Sequence, residues 1–327
     1  MSLLRVRNLR IELRTRVGVA PVIDDLSFDL AEGEAISLVG ESGCGKSMTA
    51  LGVMGLLPQQ IGSIASGSVQ FDGEELVGAS ERRMREIRGN EISMIFQEPM
   101  TSLNPVYTVG EQIAEVLRAH QNLSRTAAWN AAGDLLDAVR IPNPRSRLAD
   151  YPFQMSGGQR QRVMIAIALA CKPKILIADE PTTALDVTVQ AQIFDLLRDL
   201  RRETGTSIIL ITHDMGAVAE MADRMIVMYA GRTAEIGPVD ALISHPRHPY
   251  TRGLISCVPH IQVPLTETRD ELTEVAGVVP SLSEFGADAC LFASRCVHRT
   301  SECDSSRPGP VAFGPDHTAD CWHAEAL

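Results

Sequence analysis

The chain is poor in aromatic side chains, in long apolar runs and in positive charge. Phe, Trp and Tyr make up only 4% of its 327 residues, so we expect a largely aliphatic core. No apolar run reaches the roughly 18 to 20 residues that span a bilayer, and the charges interleaved in "MSLLRVRNLR" do not suit a secretory signal. The formal net charge of -11 argues against nucleic-acid binding through phosphate neutralisation. These absences predict a cytosolic chain with reduced thiols and no nucleic-acid partner.

Cysteine is also sparse, and it is unevenly placed. Five of the seven cysteines fall in the last 72 residues, where an even spread would place about 1.5. Proline also becomes frequent from about residue 256. A chain of 327 residues suggests two domains, or one large domain with an appendage. The bias predicts a separate C-terminal module over residues 256–327, after a main domain over residues 1–255.

The main domain begins with short strand-like runs, and Asp72-Gly73 is a hairpin turn signal. A helix-rich segment over about 83–160 follows, in which Thr108-x-x-Glu111 has capping-box spacing ahead of an apolar helix face. Buried-strand runs then alternate with helices: "PKILIADE" precedes "VQAQIFDLLRDLRRE", and "TSIILITHD" precedes "MGAVAEMAD". This alternation predicts an α/β fold with a parallel sheet, whose ligands gather beyond the carboxyl ends of the strands.

A glycine-rich loop ends the first buried strand, in "SLVGESGCGKS". It matches the phosphate-binding pattern G-x-x-x-x-G-K-S. The glycines let main-chain amides turn toward phosphate oxygens, the lysine supplies a cation, and the serine hydroxyl suits magnesium. A plain strand-to-helix turn is the alternative. The predicted ATP-binding residues are Gly40, Glu41, Ser42, Gly43, Cys44, Gly45, Lys46 and Ser47.

Two later strands place polar groups at the expected edge of the sheet. "KILIADEP" delivers Asp179 and Glu180, where one carboxylate suits magnesium and the other can polarise an attacking water. Adjacent carboxylates alone are more often a solvated strand end. His213 follows another apolar strand; alone it would be structural, but beside a phosphate site it is a candidate γ-phosphate contact.

The segment "QMSGGQRQRVMIAIALA" predicts a helix that begins with a capping box between Ser156 and Gln159. That interpretation leaves Gly157 and Gly158 unexplained, because glycines at a helix start cost conformational entropy. Exposed amides at a positive helix end suit an anion that approaches the backbone closely. We therefore interpret Ser156, Gly157, Gly158 and Gln159 as a second phosphate-contacting element.

In this order, the loop, Gln97, "SGGQ", Asp179-Glu180, "ALD" at 184–186 and His213 resemble the ATP-binding cassette (ABC) family. The resemblance implies a RecA-like core with an antiparallel β subdomain and a helical signature subdomain. It also implies a head-to-tail dimer in which each ATP lies between the loop of one subunit and the "SGGQ" of the other. Gln97 would sense magnesium and the attacking water. The catalytic set would be Glu180, His213 and Gln97, and Ser47, Gln97 and Asp179 would hold Mg²⁺.

A narrower resemblance, to ATPase subunits of bacterial dipeptide and oligopeptide permeases, extends over nearly the whole chain. It rests on "FQEPMTSLNP" (96–105), "ADEPTTALDVTVQAQ" (178–192), "HPRHPYT" (245–251) and "GVVPSL" (277–282). It implies a peripheral ATPase on the cytoplasmic face of the inner membrane, which drives two transmembrane permease subunits. A second ATPase subunit, self or paralogue, and indirectly a periplasmic or extracellular peptide-binding protein would complete the assembly.

The C-terminal thiols have three interpretations. Cys290, Cys296, Cys303 and Cys321 suit a structural zinc or an iron-sulfur cluster, although the close pairs typical of zinc are missing. Unligated thiols are the third interpretation. The permease resemblance implies a [4Fe-4S] cluster. A proline-rich tail with few large apolar residues has a physical need for such a staple.

Other functions stay open at this point. The cargo could be nickel, glutathione or antimicrobial peptides. The chain could instead be a soluble cassette ATPase that acts on DNA or ribosomes. It could also be an iron-sulfur regulator that does not hydrolyse ATP. Residues 13–23 also contain no aromatic ring to stack on adenine, which leaves Arg14 or Arg16 as candidates.

Overall fold

The computed structural model describes residues 2–16, 18–97, 102–183, 185–257, 275–279 and 288–326. The strands are β1 Ser2–Thr15, β2 Gly18–Ala31, β3 Ala35–Val39, β4 Gly62–Phe71, β5 Glu74–Glu75, β6 Ile92–Ile95, β7 Ile175–Asp179, β8 Ser207–Ile211, β9 Arg224–Tyr229, β10 Arg232–Pro238, β11 Val311–Ala312 and β12 Thr318–Ala319. The helices are α1 Lys46–Val53, α2 Glu81–Ile87, α3 Val109–Gln121, α4 Arg125–Ala138, α5 Pro144–Arg147, α6 Gly157–Leu169, α7 Val187–Thr204, α8 Met215–Met221, α9 Val239–Ser244, α10 Pro249–Ser256 and α11 Ser301–Ser305. Short 3-10 turns lie at Pro152–Gln154 and Ala293–Arg295.

The described residues form two compact units. The first unit is drawn from residues 1–4, 30–35 and 70–211, and the second from residues 5–29, 36–69 and 212–327. The first unit contains most of the helices, and the second contains the glycine-rich loop and the C-terminal residues. No helix in the described ranges is both long enough and apolar enough to cross a membrane.

In the first unit, strands β6, β7 and β8 pair in parallel. Every residue of these three strands is buried, which is the burial expected of a parallel sheet covered on both faces. Asp179 at the end of β7 lies opposite Ile211 at the end of β8, so both strands deliver their carboxyl ends to one edge. Helix α3 packs against α4 and α6. The predicted parallel sheet with alternating helices is confirmed.

In the second unit, β1 lies between β2 and β4 in one sheet. Strand β3 pairs in parallel with β9, and β9 continues into an antiparallel pairing with β10. Strands β12 and β11 extend this antiparallel arrangement beyond β10. The sequence therefore folds as mixed α/β, with antiparallel strands in addition to parallel ones.

Two local predictions are confirmed at the level of single turns. Asp72 and Gly73 both have positive φ and connect β4 to β5, as the Asp-Gly signal requires for a tight hairpin. The N-cap half of the predicted capping box is also present: Thr108 is the N-cap of α3, and its side chain accepts a hydrogen bond from the Glu111 amide at 3.3 Å, while the Glu111 carboxylate accepts from Arg118 Nη2 at 2.6 Å. Turn and cap chemistry act within four residues, so sequence suffices to find them.

The C-terminal residues pack more closely than their loose sequence pattern indicates. Phe292 is buried in the core of the second unit, with Cys290 and Cys296 packed against that core. A smaller cluster contains Ala319, Cys321 and Ala324. In the structure, the described residues after 257 thus belong to the same compact unit as the glycine-rich loop.

Candidate functional site

The glycine-rich loop connects the buried strand β3 to helix α1, which begins at Lys46. Two of its glycines are required by close contacts. A Cβ on Gly40 would lie 2.8 Å from Cys44 Sγ, and a Cβ on Gly45 would lie 2.9 Å from the Val22 carbonyl oxygen. Both glycines also have positive φ, which side chains rarely adopt. The loop is therefore compact because no Cβ intrudes, and its amides stand at the start of a helix, where anions bind.

Lys46 is buried and its ammonium is tied to the loop itself. Its Nζ donates to the carbonyl oxygens of Gly40 at 2.7 Å and Glu41 at 3.0 Å, and a third contact reaches Cys44 Sγ at 3.6 Å. Sulfur is a weak acceptor, so a phosphate oxygen would be a much stronger third partner for this ammonium. Burial raises the pKa of the Cys44 thiol, which keeps it protonated and inert beside Lys46.

In the first unit, Gln97 and Glu180 are brought together from distant parts of the chain. Gln97 Nε2 donates to Glu180 Oε2 at 3.0 Å, across 83 residues of sequence. Thr183 Oγ1 donates to the same carboxylate oxygen at 2.8 Å. Glu180 is thus held in one orientation by an amide and a hydroxyl. Asp179, one residue earlier, is buried at the end of β7.

The backbone at Glu180 is strained. Its φ is 45°, in the left-handed region that non-glycine residues seldom occupy. Its amide donates to the Ile211 carbonyl at 2.8 Å, and its carbonyl accepts from the Thr183 amide at 3.2 Å. Such strain costs of order 1 kcal/mol and clusters at functional sites. It is consistent with a carboxylate that must point in one direction.

His213 lies in the second unit, two residues after the end of β8. It is exposed, and the next residue, Asp214, caps helix α8 by accepting from the amides of Gly216 and Ala217. The predicted position of His213 just past an apolar strand is confirmed. Its role stays a prediction.

Ser156 to Gln159 form the predicted capping box at the start of α6. The Gln159 amide donates to Ser156 Oγ at 3.3 Å, and the Ser156 amide donates to Gln159 Oε1 at 3.0 Å. A Cβ on Gly158 would lie 3.0 Å from Val189 Cγ1, so α7 packs closely against this turn. The capping box is confirmed, and the glycines permit this close packing.

A concavity of about 490 Å³ opens at the start of α6. It is lined by residues 156–159 together with Arg140, Arg162 and Asp186. The Arg162 guanidinium donates to the Val139 carbonyl and to Gln192 Oε1, and burial lowers its pKa. Two guanidinium groups beside a helix N-terminus make this region suitable for an anion.

The four C-terminal cysteines lie in the second unit as free thiols. Burial, together with the nearby thiols of Cys290, Cys296 and Cys303, raises the pKa of the Cys321 thiol to about 11. The four sulfurs are therefore electrostatically close. Nevertheless, no group of three or more His, Cys, Asp or Glu side chains in the described residues is arranged to hold a metal ion.

Three residues hold predicted site residues in place, but the sequence analysis assigned them no role: Thr183 binds Glu180, and Tyr250 and Arg295 bind Glu41 of the loop. Thr183 was visible as a hydroxyl three residues after Glu180, a spacing that suits a local turn. Tyr250 belongs to the "HPRHPYT" run, and Arg295 follows the first C-terminal cysteine by five residues. The partner of Tyr250 and Arg295 is distant in sequence, so no local signal identifies these two. Parts of the quoted segments lie outside the described residues: 98–101 of "FQEPMTSLNP", Ala184 of "ALD" and of "ADEPTTALDVTVQAQ", and 280–282 of "GVVPSL".

Two family models match separate parts of the chain. Residues 23–183 match the model of the ABC transporter family, and residues 234–303 match the model of the oligopeptide/dipeptide transporter C-terminal region. The chain is 48% identical over 321 residues to the dipeptide transport ATP-binding protein DppD of Bacillus subtilis, covering 98% of this chain and 94% of the relative. It is 49% identical to the probable peptide ABC transporter ATP-binding protein y4tR of Sinorhizobium fredii, with coverages of 99% and 96%.

Solved structures show the same cassette. The ATP-binding cassette MJ0796, in a dimeric post-hydrolysis state bound to ADP and Pi, matches with a TM-score of 0.65 at 26% identity, covering 72% of this chain and 98% of that one. The cbiO1 protein of Clostridium perfringens, part of the ABC transporter complex cbiONQ, matches with a TM-score of 0.62 at 26% identity, with coverages of 74% and 91%. With its phosphate-binding loop, its "SGGQ" helix and its carboxylate pair, the chain belongs to the ABC transporter ATPase family, whose members hydrolyse ATP.

Proposed function

We propose that this chain is the ATP-hydrolysing subunit of a membrane importer for dipeptides or oligopeptides. The proposal is carried by what each unit holds: the second has a phosphate-binding loop around the buried Lys46, and the first has a carboxylate, Glu180, that Gln97 and Thr183 hold in place. The peptide cargo is supported by the relatives named for dipeptide or peptide transport. In this proposal the cassette spans residues 1–255, with its helical lobe at about 83–160, and residues 256–327 form an extension.

The loop residues Gly40–Ser47 would hold the ATP phosphates. Main-chain amides at the start of α1 donate to phosphate oxygens, and the Lys46 ammonium adds a charge-assisted bond. When phosphate binds, a phosphate oxygen would replace Cys44 Sγ as the third partner of the Lys46 ammonium. Binding therefore depends on the shape of the loop and on one cation.

Magnesium fits the oxygen donors available. The Ser47 hydroxyl, the Asp179 carboxylate and the Gln97 amide oxygen are the hard ligands that Mg²⁺ prefers. When bound, the ion neutralises charge on the phosphate oxygens. Asp179 is buried, so a cation would offset the cost of its burial.

Glu180 would act as the general base. Its carboxylate accepts a proton from a water molecule that attacks the γ-phosphorus, and ADP and phosphate leave. The bonds from Gln97 and Thr183 limit its rotation, so the oxygen that faces the water stays aligned. His213 would donate to a γ-phosphate oxygen.

The "SGGQ" helix would serve the ATP bound to a second subunit. The concavity at Ser156–Gln159, with its two guanidinium groups, suits a phosphate presented from outside this chain. The dimeric state named for a similar cassette supports this arrangement. The second ATPase would be either another copy or a paralogue.

We also propose that the C-terminal thiols hold a [4Fe-4S] cluster. The fit is partial: the sulfurs are close enough to raise the pKa of Cys321, although they are not arranged for a metal ion in the described residues. A cluster would require all four thiols to lose their protons, and it would cross-link the C-terminal residues within the second unit. Absorbance near 400 nm together with iron and sulfide analysis of anaerobically purified protein tests this; fewer than one cluster per chain after reconstitution would refute it.

The remaining assembly follows from the transport role. The chain would bind two transmembrane permease subunits at the cytoplasmic face of the inner membrane, and a periplasmic or extracellular peptide-binding protein would deliver the cargo. Co-purification of the tagged chain from membranes identifies these partners.

Replacing Glu180 tests the catalytic part of the proposal. Glu180→Gln should keep ATP affinity but lower hydrolysis by about 100-fold or more, because the amide cannot accept the proton. Lys46→Ala should lose ATP binding. Glu203→Gln, at an exposed helix position, is the matched control and should behave as the wild type. Hydrolysis by Glu180→Gln near the wild-type rate would remove Glu180 as the base.

Uptake of labelled dipeptides, nickel or glutathione into proteoliposomes with the permease subunits decides the cargo.

A further inference from the structure

Two C-terminal side chains converge on Glu41, the second residue of the phosphate-binding loop. Tyr250 Oη accepts a hydrogen bond from the Glu41 amide at 2.8 Å. Arg295 donates to the Glu41 carboxylate from both terminal nitrogens, with Nη1 to Oε2 at 2.7 Å and Nη2 to Oε1 at 2.9 Å. All three residues lie in the second unit. The amide and the carboxylate of this loop residue are thus each held by a side chain from outside the loop.

Arg295 is itself tightly fixed. Only 3% of its side chain is exposed. Its Nε donates to the Ala276 carbonyl at 2.8 Å and its Nη2 to the Val275 carbonyl at 2.9 Å. The guanidinium carbon also lies 5.8 Å from the centre of the Tyr229 ring and 5.9 Å from that of Phe292. A planar group with this set of partners cannot be replaced by lysine without losing bonds.

The ion pair between Arg295 and Glu41 favours the charged form of the guanidinium. The hydrogen bonds that Arg295 donates to Glu41 are the largest cause that raises the pKa of Arg295 above its usual value. Removal of Arg295 from this partly buried pair leaves the Glu41 carboxylate without its opposite charge, which is unfavourable. The side chain of Glu41 would then have to move toward solvent, and its backbone would move with it.

Glu41 connects this pair to the phosphate-binding cation. The Glu41 carbonyl oxygen accepts from Lys46 Nζ at 3.0 Å. Arg295 holds the carboxylate, Tyr250 holds the amide, and Lys46 is held by the carbonyl of the same residue. A shift of Glu41 would therefore move the ammonium that is proposed to contact phosphate.

We propose that Arg295 is a positioning residue for nucleotide binding: through its bidentate pair with Glu41 it sets the shape of the phosphate-binding loop and the position of Lys46. This inference rests on the proposed ATPase function. Its consequence is that the C-terminal segment around Cys290 and Cys296, which carries Arg295, controls ATP affinity.

Binding and turnover of the full-length protein separate this role from catalysis. Arg295→Met should weaken the affinity for a fluorescent ATP analogue by about tenfold or more. The kcat at saturating ATP should stay within about twofold of the wild type, because Glu180 and Gln97 are untouched. Arg295→Lys keeps the charge but loses the bidentate geometry of the guanidinium, so its ATP affinity should lie between those of Arg295→Met and the wild type. Arg299→Met, which breaks an exposed pair with Asp304 in the same segment, is the matched control and should leave affinity unchanged.

A double-mutant cycle distinguishes positioning through Glu41 from a general structural effect. Glu41→Gln alone should weaken affinity, and adding Arg295→Met should weaken it little further, since both remove one interaction. If the two effects multiply, or if folded Arg295→Met binds ATP as tightly as the wild type, the inference is wrong. Should Arg295→Met fail to fold, Arg295→Lys and Glu41→Gln carry the test. Failure of the wild type itself to bind ATP with Mg²⁺ would instead refute the proposed ATPase function.

Discussion

Replacing the buried His248 by asparagine should remove a defined part of the acid sensitivity of the fold. His248 caps helix α10, where its Nδ1 accepts from the Tyr250 amide at 3.0 Å, and its ring packs near Phe292. Its own amide donates to Glu235 Oε2 at 3.0 Å, within a fully buried carboxylate site. Asparagine places an acceptor oxygen where Nδ1 lies and is a good N-cap residue, but it does not titrate.

The magnitude follows from the pKa of this imidazole. Burial lowers the pKa of His248 from 6.5 to about 4. Between these values the unfolded chain binds the proton more readily than the folded one, so stability is fully present above the unfolded pKa and falls as pH drops toward 4. Lowering the pH from about 7.5 to about 5 should cost the wild type about 2 kcal/mol through this residue, and His248→Asn nothing. With an unfolding entropy of about 2.1 cal/mol/K per residue over 327 residues, that corresponds to about 3 °C in Tm.

Thermal unfolding of both proteins at the two pH values measures the effect. The difference in Tm between His248→Asn and wild type should move in favour of the variant by about 3 °C on acidification. Whatever packing the variant loses beside Phe292 is the same at both pH values and cancels. His245→Asn, an exposed site three residues earlier, is the control and should show no such movement. A Tm difference that is independent of pH would refute the argument that His248 is buried as the neutral form.

Three further changes test individual contacts. Gly45→Ala should destabilise the loop by about 1 to 3 kcal/mol and weaken ATP binding, because its φ is positive and its Cβ would lie 2.9 Å from the Val22 carbonyl; urea unfolding and nucleotide titration measure this. Ser156→Ala should cost about 1 kcal/mol through loss of the N-cap bond, as measured by urea unfolding. Thr183→Val should lower kcat by about tenfold with KM unchanged, because one of the bonds that orient Glu180 is lost; steady-state hydrolysis measures this.

Each of these changes has a control in the same chain. Gly309→Ala adds a methyl group where nothing lies within 4 Å, so it should leave both stability and binding unchanged. Ser156→Asp and Thr183→Ser keep the acceptor and the hydroxyl, so each should restore most of what the first variant loses. Equal losses in a variant and its control would show that the named contact is not responsible.

Much of the cassette could be predicted from local patterns. The loop from Gly40 to Ser47, the strand that ends at Asp179 and the capping box at Ser156 all depend on residues within a few positions of one another. Backbone geometry, burial of apolar runs and cap chemistry act over that range, so their signals are readable one segment at a time. The ABC family assignment confirms this interpretation.

The partners of individual side chains could not be predicted in the same way. Gln97 reaches Glu180 across 83 residues, and Arg295 reaches Glu41 across 254. Nothing in the composition near Arg295 distinguishes it from Arg299, which makes an exposed pair. The difference between the two arginines is burial, and burial is a property of the packed unit.

Sequence alone therefore determined which family the chain belongs to, which carboxylates end the buried strand and where helix α6 starts, and it predicted which residues bind phosphate. Only the tertiary structure decided that the C-terminal segment holds the phosphate-binding loop through Glu41. The physical reason is range. Turns and caps are specified by neighbours along the chain, whereas the pair between Arg295 and Glu41 exists only when folding buries the guanidinium beside a carboxylate that lies 254 residues away in the sequence.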